Sequence, residues 1–333
     1  MKNLFIINRI YVAFGAGLLL LAGGAQAQGW KPERHVELIV PASAGGSLDH
    51  VGRVFQKLWD EMKLVPISSA VVNRSGGGHA IAYNFLNQHP NDPHFMSITS
   101  STLHTSHING RIKLSYRDFT PLTIMLTEYI AFAVRADSPL KTGKDLIEAL
   151  RKDPASLSLA ISSAVGGTHH ISFGMPLLSG QVDIKKAKMV AFNSTGEAVT
   201  ALLGGHVDVL SGGTVQIAPH VASGKMRLLA VTSAQRLPGA LASGPTWPEL
   251  GYKGVFENWR GVIGTRGLTA PQVAYWDGVF SKIAGSNEFK VVAEKNQWDI
   301  NYKNSAETRK FFDAEYPDLK EVMDFLGLTT AKP

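Results

Sequence analysis

Four short segments of the 333-residue chain combine glycine with hydroxyl side chains: Ser43-Ala44-Gly45-Gly46-Ser47, Ser100-Ser101-Thr102, Ala164-Val165-Gly166-Gly167-Thr168 and Asn193-Ser194-Thr195-Gly196. Each follows an apolar run that reads as a strand. Glycine lets a backbone approach a ligand closely. The first N–H groups of a helix have no partner within it and favour an anion. One exposed helix end contributes only about 0.3–1 kcal/mol. Several converging ends with hydroxyl donors reach the roughly 8 kcal/mol of a micromolar complex. Ordinary capping by Ser47, Thr168 and Ser194 accounts for the same residues, and spacing alone leaves both readings open. Asp49 and Arg53, four apart on the first helix, suit a surface ion pair.

Catalytic patterns are missing. With no cysteine there is no thiol nucleophile, thiolate-zinc or iron–sulfur site. The chain has no G-x-S-x-G elbow, H-E-x-x-H, G-x-x-x-x-G-K-[ST], or G-x-G-x-x-G after a strand. Ser43, Ser47 and Ser101, with 11 histidines, offer nucleophiles and bases but no motif. His104-Thr105-Ser106-His107 and His169-His170 have the residue types of a zinc site. Their spacing alone is a weak signal, and polar loop histidines are the ordinary reading. No catalytic residue, metal or cofactor is expected, and an exported hydrolase stands as the rival reading.

Composition sets the frame. At 44% hydrophobic and 18% charged, the chain is of the globular class, and its length suits about two domains. Lys2 and Arg9 flank a short positive region, an uncharged stretch over 10–24 includes Leu18-Leu19-Leu20-Leu21, and Ala25-Gln26-Ala27 matches an A-x-A cleavage pattern. That stretch is short of the roughly 20 residues of a spanning helix. A leader over 1–27, cleaved near Ala27, and a periplasmic location are expected. The net charge of +6 falls by two without Lys2 and Arg9. The basic residues form no block with interleaved aromatics, so nucleic acid is not an expected partner.

Apolar periodicity fills in the elements that must position the loops. Strands are expected at 36–40, 67–72, 95–99, 122–126, 130–134, 157–161, 189–192, 207–210, 228–231 and 262–263, and helices at 51–62, 80–87, 145–150, 168–179, 196–203 and 215–222. The tail over 270–328 reads as mostly helical. Repeated strand–turn–helix units that restart after Thr120-Pro121 imply an α/β fold of two lobes, each a mostly parallel sheet flanked by helices. Ligands in such sheets bind at the carboxyl ends of strands.

With the loops and elements in place, a family resemblance emerges. Pro41 through Gly45-Gly46-Ser47-Leu48-Asp49, then Arg53, resembles the first loop and helix of the Bug-type (TctC-like) periplasmic solute-binding receptors of tripartite tricarboxylate transporters. Asn73-Arg74-Ser75-Gly76-Gly77-Gly78 is similar to their second loop. Asp118-Phe119-Thr120-Pro121, Ser138-Pro139-Leu140-Lys141-Thr142, Leu203-Gly204-Gly205-His206-Val207-Asp208, Pro219 through Lys225, Leu229 through Ser233 and Pro245-Thr246 follow in the family's order.

The resemblance implies a two-lobed, type II-like binding protein that closes on a small carboxylate and hands it to membrane subunits. The implied lobes are 28–128 with 259–333, and 129–258, crossing near Glu128-Tyr129 and Glu257-Asn258. In the implied site, the Ala44–Ser47 loop and Asp49 hold one carboxylate together with Gly167, Thr168 and His169. Ser100, Ser101 and Thr102 match the first lobe's other ligand loop. Asn193 and Ser194 match the loop selecting the ligand's distal end. A monomer is expected, and a sensor partner in place of a transporter is the third reading.

Two departures bear on the ligand. Ser211-Gly212-Gly213 stands where many relatives carry an acidic residue, which disfavours a zwitterionic amino acid. Gly212 and Gly213 would leave room for a bulky ligand, an aromatic dicarboxylate such as terephthalate. Arg260 lies where an uncharged residue is common in the family. It suits a second carboxylate held bidentately, or else a solvent-exposed hinge arginine. Trp259 beside it is the expected fluorescence reporter.

Overall fold

The computed structural model describes residues 29–161, 165–192 and 194–330. The expected leader and Asn193 lie outside the described residues. Among the described residues no helix is long and apolar enough to cross a membrane.

The first sheet is built from β1 (Val36–Val40), β2 (Ser69–Asn73), β3 (Phe95–Thr99), β4 (Thr120–Glu128), β10 (Asn258–Gly264) and β11 (Asp299–Lys303), in the order β11-β4-β10-β3-β1-β2. The second is built from β5 (Ile130–Arg135), β6 (Ser158–Ile161), β7 (Lys188–Ala191), β8 (Val209–Gly213) and β9 (Met226–Val231), in the order β7-β6-β8-β5-β9. Both sheets are mixed. β1 pairs in parallel with β2 and β3, and β6 with β7 and β8. The antiparallel ladders belong to β10, which enters the first sheet between β3 and β4, to β11, and to β5, which enters the second between β8 and β9. β5 and β10 are the strands that arrive from the other sheet, so each runs against its neighbours and interrupts the parallel order expected from sequence.

Helices cover the faces: α1 (Ser47–Glu61), α2 (Ala80–Asn87), α3 (Thr102–Ile108), α4 (Gly143–Lys152), α5 (Thr168–Ser179), α6 (Thr195–Leu203), α7 (Thr214–Ala222), α8 (Ala270–Gly285), α9 (Asn287–Asn296) and α10 (Ser305–Phe325). α1 buries Val51, Phe55, Leu58 and Trp59 at helical spacing, and Phe55 meets Phe280 and Phe289 edge-on. Fully burying each such side chain contributes about 1.5–3 kcal/mol. Along β5, Phe132 and Val134 enter one apolar cluster and Ala131 and Ala133 another, because alternate side chains point to opposite faces.

α10 spans both halves. Phe312 packs with Trp259 in the first sheet's core, whereas Leu319, Val322 and Met323 pack with Phe132 and Phe173 in the second's. Pro317, which cannot donate a helix hydrogen bond, sits between the two contact regions. Only Tyr129 separates β4 from β5. Its carbonyl accepts Thr214 N–H at 3.3 Å, and Ile130 N–H donates to Thr232 Oγ1 at 3.0 Å.

Candidate functional site

In the loop after β1, Ser43, Ala44, Gly45 and Ser47 are exposed, and Gly46 N–H donates to Ser43 O at 3.3 Å. Gly45 has φ +80°, open to glycine at no steric cost. The residue capping α1 is Gly46, which offers no side-chain acceptor, and Ser47 is the first helical residue. Asp49 is 3% exposed and spends its carboxylate on the protein. Oδ2 accepts Gly45 N–H at 2.8 Å and Arg53 Nε at 2.9 Å; Oδ1 accepts Asn73 Nδ2 at 2.9 Å. The same Asn73 amide donates to Ala42 O at 3.0 Å. Burial alone would raise the Asp49 pKa, but Arg53, Gly45 and Asn73 outweigh it and hold it down at about 2. Asp49 thus clamps the loop, whereas the family resemblance implies that it holds ligand. Asn73, absent from the expected site, completes the clamp.

Ser100, Ser101 and Thr102 turn from β3 into α3, with Ser100 and Ser101 buried. Ser101 Oγ has no hydrogen-bond partner among the described residues. β10 runs beside this turn with Gly261 opposite Thr99, so Arg260 comes level with Ser100. Gly261 is required there, since a Cβ would lie 2.3 Å from Thr123 O.

Arg260 is not the solvent-exposed arginine weighed above: it is 7% exposed. Its Nη2 donates to Glu128 Oε2, and its Nη1 donates to Asn258 Oδ1 at 2.8 Å and to Trp259 O at 3.0 Å. Its Nε is buried without a partner among the described residues. Trp259 points to the opposite face, fully buried, and donates Nε1–H to Glu315 at 2.9 Å. It is a core residue and not a wall of the cleft.

In the second half, Gly167 caps α5 without a side-chain acceptor and Thr168 is the first helical residue. His169 and His170 are buried. Ser172 Oγ donates to His169 O at 2.9 Å, and Gly166 N–H donates to His170 Nδ1 at 3.0 Å. Burial lowers the His170 pKa, so the ring is neutral with its proton on Nε2. Ser194 is a true cap, accepting Glu197 N–H at 3.2 Å. Of the three residues weighed as ordinary caps, Ser47 and Thr168 are therefore not caps.

Gly212 lies on β8, against the starts of α6 and α7. It is buried, and a Cβ there would lie 2.8 Å from Thr195 Cγ2 and 3.3 Å from Ile217 Cδ1. Along the direction of that Cβ, Gly212 is packed by α6 and α7. At Gly213 a Cβ would meet Gln216 Oε1 at 2.7 Å. Among the described residues no group of three His, Asp or Glu could hold a metal. His104 and His107 instead meet α10, at Glu315 and Tyr316.

The predicted residues that the structure describes therefore gather at the carboxyl ends of β1 and β3 in one half, and of β6, β7 and β8 in the other. A cavity of about 610 Å³ adjoins them, lined by Tyr129, Thr214 and Ser233 from one side and by Gln297, Trp298 and Asp299 from the other. None of the predicted residues lines it. It abuts them through Thr214, beside Gly212 and Gly213, and through His50, whose ring lies 5.4 Å from that of Trp298.

Two sheets joined at Tyr129 and β10, with small-residue loops collected at strand ends, define a two-lobed α/β fold. The sequence profile of the tripartite tricarboxylate transporter family receptors matches residues 56–328, and the chain belongs to that family. That is a family of transporter receptors and not of enzymes. A Pseudomonas sp. (strain P51) protein encoded in the tcbD-tcbE intergenic region is 27% identical over 98% of this chain and 88% of its own. A TctC solute-binding protein from Polaromonas superposes with TM-score 0.78 at 24% identity, covering 88% of this chain and 99% of that one. R. palustris Rpa4515, solved with adipate, gives TM-score 0.68 at 24% identity over 90% and 99%.

Proposed function

We propose that the chain is a periplasmic receptor that captures a small carboxylate between its lobes, closes by hinge motion at the two crossings, and delivers the ligand to the membrane subunits of a tripartite tricarboxylate transporter. It works as a monomer after its leader is removed near Ala27. The observation that carries the reading is the pair of helix starts whose caps are Gly46 and Gly167. Glycine caps leave the first N–H groups without a side-chain acceptor, and a ligand carboxylate meets that need. The closed form is favoured because only there does one anion touch both loops.

A dicarboxylate is the finer reading. Arg260, level with Ser100, keeps its buried Nε for an acceptor that the described residues do not supply. The adipate held by the R. palustris relative accords with this choice.

Calorimetry on the mature chain with paired mono- and dicarboxylates tests the proposal. One saturable, stoichiometric carboxylate, recovered unchanged, is expected. Silence across the panel, or chemical turnover of the ligand, would defeat it.

A further inference from the structure

We propose that His79 is a specificity-determining residue: at the same end of β3 as Arg260, it joins that residue in a subsite for the far carboxylate of a dicarboxylate ligand. This rests on the small-carboxylate reading above. After β2 the chain runs through four successive residues in the left-handed region, Gly76, Gly77, Gly78 and His79, with φ of +126°, +59°, +64° and +79°. Three are glycines, for which this is ordinary; the fourth is not. Contacts hold His79 in place. Ser106 Oγ, on the helix that begins at the Ser100–Thr102 turn, donates to Gly78 O at 2.9 Å. His79 Nδ1 lies 3.3 Å from Tyr83 OH, and that hydroxyl lies 3.0 Å from Thr99 Oγ1. Thr99 pairs with Gly261, the neighbour of Arg260.

The relay Thr99–Tyr83–His79 and the strand β10 thus bring an imidazole and a guanidinium to the same end of β3. Burial and then the charge of Arg260 lower the His79 pKa to about 4, so the ring is neutral at ordinary pH. When Nδ1 accepts the Tyr83 hydroxyl, the proton sits on Nε2 and is available for donation. Arg260 supplies the charge and His79 the directed N–H. A monocarboxylate of equal length would offer no acceptor to the Nε of Arg260 or the Nε2 of His79, and leaving buried donors unmet is the strongest basis for discrimination.

The test measures binding of succinate, adipate and malate, each against the monocarboxylate of equal length, by calorimetry on the mature chain. His79→Gly removes the ring and suits the left-handed backbone, and its urea midpoint is measured beside wild type. His79→Asn tolerates that backbone and keeps a donor. The expectation is that wild type prefers a dicarboxylate, His79→Gly loses about ten- to a hundredfold in that affinity but little for its monocarboxylate, and His79→Asn restores part of the preference. Wild type binding monocarboxylates equally well, or His79→Gly leaving the ratio unchanged, overturns the inference and leaves the receptor reading intact. No binding of any carboxylate by wild type defeats both.

Discussion

The carboxylate of Asp49 accepts the backbone N–H of Gly45 at 2.8 Å, closing a small ring that fixes the loop ahead of α1. Arg53 and Asn73 donate to the same carboxylate, so the loop is braced by the protein before a ligand arrives. Pre-organised donors lose less on binding. Asp49→Ala is therefore expected to weaken carboxylate binding about tenfold or more and to cost roughly 1–3 kcal/mol of stability. Asn73→Ala should act in the same direction. Calorimetry and urea unfolding check both; unchanged affinity in the two variants would remove the clamp from the account.

The same clamp sets an acid limit. Asp49 is held at about 2, below its ordinary carboxylate value. A depressed folded-state value means that its stabilisation is complete above pH ~4 and fades as pH falls from ~4 toward ~2. Wild type should lose stability over that window more steeply than Asp49→Asn, as read by urea midpoints at stepped pH.

Arg260 and Glu128 form a pair of unequal burial: the Glu128 side chain is 24% exposed and that of Arg260 is 9% exposed. Removing the partner of the more buried charge is the costlier change. Glu128→Ala is expected to cost about 1–3 kcal/mol, and Arg260→Met less, because Glu128 can take up water. Urea unfolding distinguishes the two; the reverse order would mean that Arg260 is solvated.

Gly212→Val should destabilise the fold by about 1–3 kcal/mol through overlap with Thr195 and Ile217. A variant of wild-type stability that lost only ligand affinity would return Gly212 to the ligand cavity.

Trp298 lines the cavity of about 610 Å³, whereas Trp259 is sealed against Phe312 and Glu315. Trp298→Phe is expected to abolish a ligand-induced fluorescence change that Trp259→Phe retains. The opposite result would reassign the reporter.

Much of the scaffold was legible in the sequence because burial imposes period. β3, α2 and α5 occupy the ranges their apolar spacing gives, 95–99, 80–87 and 168–179. α3 was missed because Thr-Leu-His-Thr-Ser-His-Ile is poor in helix formers and its helicity comes from packing. β11 escaped because an edge strand reading Asp-Ile-Asn-Tyr-Lys, with no fully buried residue, carries no clear alternation within a helical tail. The loops of the site were visible as glycine and hydroxyl clusters. Their internal roles were not. The Asp49 clamp needs Asn73, 24 residues away, and the burial of Arg260 needs Glu128, 132 residues away. His79 left only a faint signal, a histidine after three glycines.

A structure of the mature chain with its tightest carboxylate bound tests the central claim most directly. The account predicts one carboxylate group within hydrogen-bond distance of the Gly45–Ser47 backbone and of Gly167 or Thr168 together, bridging the lobes. A ligand held by one lobe alone, or seated away from both loops, would contradict it.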